Sequence, residues 1–124
     1  MPDVPMTVSL FTPSKLQVNP PVGKALMNQQ PTLRWSATGS LTIQYIGFNR
    51  PVGPGQQIEV PHKDPDNPAD WIAKDLNQYK DLFTYSVFAM TGDGRVLSTD
   101  PQIENEGTSG GVDDMEPPNG GGGG

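Results

Sequence analysis

The sequence predicts an all-β protein, an antiparallel β-sandwich of about seven strands with one short helix in a crossover loop. Three observations predict it. Apolar residues recur at period two in short runs, above all Phe83, Tyr85, Val87 and Ala89. The runs are punctuated by turn formers, with 15 Gly and 14 Pro among 124 residues. Only one stretch, from Asn67 to Tyr79, carries a helix start signal followed by an i, i+4 apolar pair.

The strands follow in order. Met6 to Leu10 reads as the first, closed by Thr12-Pro13, and Leu16-Gln17-Val18 as a second short one. Asn19 to Gly23 is a turn or extended loop, Lys24 to Met27 is ambiguous, and Asn28 to Pro31 is loop. Thr32 to Ala37 is a strand with Leu33, Trp35 and Ala37 on one face. Thr38-Gly39-Ser40 turns it into Leu41 to Ile46, with Leu41, Ile43 and Tyr45 expected inward. A Gly/Pro loop from Gly47 to Gly55 leads to a short strand, Gln56 to Val60. A polar, Pro-rich loop, Pro61 to Asp70, follows. Asn67 is placed to cap a helix near 68–79, with Pro68 at its first position and Asp70 in its first turn. Ile72 and Leu76 would form its apolar stripe, flanked by Trp71 and Tyr79. Leu82 to Met90 and Arg95 to Thr99 make the closing hairpin around Gly92-Asp93-Gly94, and Asp100-Pro101 belongs at an edge, a bulge or a strand start.

Charge divides the chain. Residues 104–124 carry 5 acidic residues, 8 Gly and no Lys or Arg; the rest holds 9 acidic and 8 basic residues. The low pI therefore describes the tail, and the expected division is a domain over 1–105 and a disordered acidic Gly-rich tail over 106–124. A near-neutral body without basic clusters gives no electrostatic footprint for nucleic acid. The N-terminus shows neither a signal peptide nor an apolar span, so no membrane partner is expected. If Met1 is the natural start, the expected location is cytoplasmic.

The pattern from Thr32 to Gly107 resembles small bacterial cupredoxin-like domains of the non-copper kind. Trp35, Tyr85, Gly92, Gly94, Asp100 and Pro101 carry the resemblance; an immunoglobulin-like sandwich could present Trp35 and Tyr85 in the same way. The resemblance implies a sandwich closed by a tyrosine strand and a Gly-centred turn. A blue-copper site needs a Cys thiolate and two imidazoles, and this chain has no Cys and 1 His. Electron transfer through copper is therefore excluded, and no cofactor or metal is expected.

Other chemistry finds little support. His62 reads as a solvated loop residue with no partner at a recognisable spacing. Asp64, Asp66 and Asp75 faintly echo a calcium loop, but Ala69 stands where the turn needs Gly and Asp75 where the loop needs Glu. Asx turns and helix capping explain the Asp64-Asp66-Asp70 cluster better. Gly53-Pro54-Gly55 and Gly92-Asp93-Gly94 read as turns, since neither has the context of a phosphate loop. The expected function is a non-enzymatic binding or interaction module for another protein or an unknown ligand. A structural, self-assembling (for example virion-associated) sandwich is the alternative, and a small hydrolase the weaker one. Phe48, Trp71 and Tyr79 are the candidate contact residues.

Overall fold

The computed structural model describes residues 3–108 as a two-sheet β-sandwich. Ten strands form it: β1 (Asp3–Thr12), β2 (Lys15–Asn19), β3 (Val22–Ala25), β4 (Thr32–Ala37), β5 (Thr42–Phe48), β6 (His62–Asp64), β7 (Asn67–Lys74), β8 (Lys80–Met90), β9 (Val96–Thr99) and β10 (Gln102–Glu106). One sheet runs β2-β1-β4-β7-β6 and the other β3-β10-β8-β5, with β9 continuing the line of β10 along β8. The expected acidic tail lies outside the described residues from 109 onward.

The all-β sandwich is as expected, but three details are corrected. The strands number ten rather than seven. The sheets are mixed rather than antiparallel, since β1 pairs parallel with β4 and β3 parallel with β10. The predicted helix near 68–79 is absent, and most of that stretch is strand β7. Trp71, Ala73 and Asp75 are buried in strict alternation, a period of two that the Ile72/Leu76 pair had masked. β4 supplies the ladder, with Leu33 opposite Ala73 and Trp35 opposite Trp71. Helix propensities differ by only about 0.7 kcal/mol per ordinary residue. Burying an apolar side chain the size of Leu or Phe is worth ~1.5–3 kcal/mol, so the sheet wins.

The helix-start residues serve a hairpin instead. Pro65 and Asp66 are the turn between β6 and β7, and Asp64 Oδ1 accepts the Asp66 N–H at 2.9 Å. Asp70 does not begin a helix; with Asp64 it grips Arg34 at 3.0 and 2.8 Å. The predicted strand at 56–60 shrinks to a single bridge between Ile58 and Asp75.

The closing hairpin matches its reading. Gly94, at φ +88°, turns the chain with its N–H donated to Thr91 O at 3.0 Å. Pro101 splits the return strand into β9 and β10 and lends its carbonyl to Tyr85 N at 3.1 Å. Between the sheets, Met6, Val8, Leu33, Trp35, Ile43, Ile46, Phe83, Tyr85, Val87 and Ile103 form one apolar core. Trp35 Nε1 donates to Tyr85 Oη at 2.9 Å, and the two rings meet edge to face at 5.5 Å.

Candidate binding surface

Strand β5 should alternate strictly, which would place Tyr45 in the core beside Ile43. A bulge overturns that expectation. Ile43 lies opposite Ala89 and Tyr45 opposite Phe88, so two residues of β5 face one step of β8. Ile43 and Ile46 both point inward, and Tyr45 is turned out with 57% of its surface exposed. Its ring lies across Gly47, whose Cα has room for it; a Cβ there would stand 2.6 Å from Tyr45 Cε2.

From this position Tyr45 meets two rings. Phe88, on the neighbouring strand and partly exposed, lies at 6.3 Å. Trp71, on β7 of the opposite sheet, lies at 6.4 Å in an edge-to-face arrangement. Tyr45 thus links Phe88 on its own sheet to Trp71 on the other. β5 ends its sheet, so its outer backbone edge has no strand partner among the described residues.

The structure separates the three candidates from the sequence. Trp71 is 8% exposed and belongs to the aromatic bridge as its buried member. Tyr79 is exposed but elsewhere, beside Gln57, which accepts its N–H at 2.9 Å. Phe48 is half-buried against Phe83 and Tyr85 at 6.2 and 5.1 Å. Sequence reasoning missed Tyr45 as a surface residue. The available signal was Gly47: glycine inside a strand marks a bulge or a close approach.

Apart from this face, a concavity of about 560 Å³ opens beside the Gly53-Pro54-Gly55 turn. Pro54, Val60 and Leu76 line it, with Glu59, His62 and Lys74 also contributing. His62, read as partnerless, has a neighbour after all: its Nε2 stands 3.5 Å from Glu59 Oε1, and its Nδ1 lies 2.9 Å from Lys63 O. Among the described residues no hydroxyl is hydrogen-bonded to that imidazole.

The acidic cluster also acquires a role. Asp64 and Asp70 surround the Arg34 guanidinium, with Asp3 at 3.6 Å. Arg34, together with the Asp66 N–H, holds the Asp64 carboxyl below its usual range. Among the described residues no group of three or more His, Cys, Asp or Glu is placed to hold a metal ion. No family model matches the chain, and no curated protein matches it.

Proposed function

We propose that the protein is a non-enzymatic interaction module that takes its partner on the aromatic face of β5. The observation that carries this reading is the exposed Tyr45, backed by Phe88 and Trp71 and set on a strand with an unpaired edge. Aromatic side chains offer large contact area at low entropic cost, and a free edge offers main-chain hydrogen bonds to an extended segment. The partner class that suits both is a protein presenting an extended, partly apolar strand. The kinship with non-copper cupredoxin-like sandwiches belongs to this reading, supported by Trp35 and Tyr85 facing one another across the core.

A peptide panel read by tryptophan fluorescence tests it, because Trp71 touches Tyr45 directly. Peptides that quench wild type should bind Tyr45→Ala at least tenfold more weakly, a loss of about 1.4 kcal/mol. They should bind Phe11→Ala, altered at an exposed residue of β1, with unchanged affinity. Equal binding by wild type and Tyr45→Ala would remove β5 as the contact face.

The second reading is a self-assembling structural sandwich. It is favoured by the terminal strands β2, β6, β3 and β5, which end their sheets with no helix among the described residues to cover them. Light scattering that shows a monomer at all concentrations would count against it.

A further inference from the structure

Away from the aromatic face, the loop after β3, the segment after β7 and the end of β10 meet at buried polar side chains. Asn77, at φ +48°, donates Nδ2 to Leu26 O at 2.7 Å and Gln29 O at 2.8 Å. Its Oδ1 accepts the Gly107 N–H at 2.8 Å. Asp75 Oδ1 accepts the Asn77 N–H at 2.9 Å and Asn105 Nδ2 at 2.8 Å. Asp75, Asn77 and Asn105 are all fully buried.

Two atoms of this cluster have no hydrogen-bond partner among the described residues, Asp75 Oδ2 and Asn105 Oδ1. They belong to side chains already joined by the bond from Asn105 Nδ2 to Asp75 Oδ1. Both are acceptors when the carboxyl is ionised, and a buried acceptor without a donor is costly. A proton on Asp75 Oδ2 would turn that oxygen into the donor that Asn105 Oδ1 lacks.

We propose that Asp75 and Asn105 form a proton-operated latch that fastens the C-terminal end of β10 to the body of the domain. Closed, the carboxylic acid donates from Oδ2 to Asn105 Oδ1. Opened, the proton passes to solvent, the carboxylate faces an amide oxygen, and the end of β10 loosens together with β3, its parallel neighbour. Burial pushes the Asp75 carboxyl up to about 6, against the hydrogen bonds from Asn105 and Asn77. No charged side chain contributes to that rise. Of the ionisable neighbours, Glu104 pairs with Lys24 at 3.9 Å, Glu106 accepts the Met27 N–H at 3.0 Å, and Glu59 stands 3.5 Å from His62. On β8, Asp81 lies opposite Asn105 and pairs with Arg50 at 2.6 Å, and Lys80 lies opposite Glu106. Lys74, adjacent in sequence, lines the concavity beside the Gly53-Pro54-Gly55 turn.

The test is amide hydrogen exchange on the full chain, expressed as protection factors at pH 5 and pH 7.5. The reporters are the Gly107 amide, bonded to Asn77 Oδ1, and the Asn28 amide, bonded to Gly107 O at 2.9 Å. In wild type their protection should fall about tenfold between the two conditions, as the linkage of a raised carboxyl demands. Asp75→Asn should hold high protection at both, because its Nδ2 can donate permanently to Asn105 Oδ1. Equal wild-type protection at both conditions, or the same fall in Asp75→Asn, overturns the latch. Carbon NMR of the wild-type Asp75 carboxyl decides independently of the variant. A midpoint near 6 supports the latch, and a midpoint in the ordinary carboxylate range, as a bridging water would give, overturns it.

Discussion

The Tyr85 hydroxyl lies buried in the core, where two neighbours use it. It accepts from Trp35 Nε1 at 2.9 Å and points its own hydrogen toward Met6 Sδ at 3.4 Å. Burial raises the phenol well above its usual range, against the hydrogen bond from Trp35. Tyr85→Phe keeps the ring and strands the indole N–H without an acceptor. The expected cost is ~1–3 kcal/mol in chemical unfolding; a loss under about 0.5 kcal/mol would mean the indole finds another acceptor. Both rings were legible as core from alternation alone, but their hydrogen bond was not. Strand periodicity tells which face a residue takes, while facing partners across two sheets depend on how the sheets stack.

At the level of elements, the closing hairpin and β4 were legible because local signals and tertiary demands agree there. Phe83, Tyr85, Val87 and Ala89 alternate without interruption, and Gly94 supplies the turn. β7 was not legible. Asn67-Pro68 is a good local helix start, yet β4 offers Trp71 and Ala73 a ladder and a buried face that no window of sequence can display. β6 was hidden for a related reason, as three residues, His62–Asp64, pair only because β7 exists. The bulge in β5 is the subtler case, because it moves Tyr45 from core to surface and so decides where the candidate site lies. Gly47→Ala isolates that effect. The glycine has no positive φ, and the clash falls on the far end of a movable side chain, so the unfolding midpoint should stay within about 0.5 kcal/mol of wild type. The Tyr45 ring should leave Trp71, seen as loss of the cross-peaks between them in proton NMR. Retained cross-peaks would show that the strand, and not the ring, gives way.

Across the whole molecule, opposed carboxyl environments set the dependence on pH. Asp64, Asp81 and Asp93 are held below their usual range by Arg34, by Arg50, and by Thr91 with Arg95, respectively. Their contribution is present above the unfolded value of 3.8 and is lost as pH falls through their lower folded values. Asp75 acts in the other direction: its contribution is complete below 3.8 and is lost as pH rises to about 6. The unfolding temperature should therefore peak at about pH 4 to 5 and decline before neutrality, and Asp75→Asn should flatten the decline. A wild-type maximum at or above pH 7 would contradict this balance. The parallel pairing of β3 with β10 also bears on synthesis. β3 emerges early, yet among the described strands its neighbour in the sheet is β10, the last of them. During translation that strand waits, solvated, without its sheet partner until β10 has been made. The second sheet can close only after Glu106 has left the ribosome, which makes the nascent chain, more than the finished protein, the form exposed to mispairing.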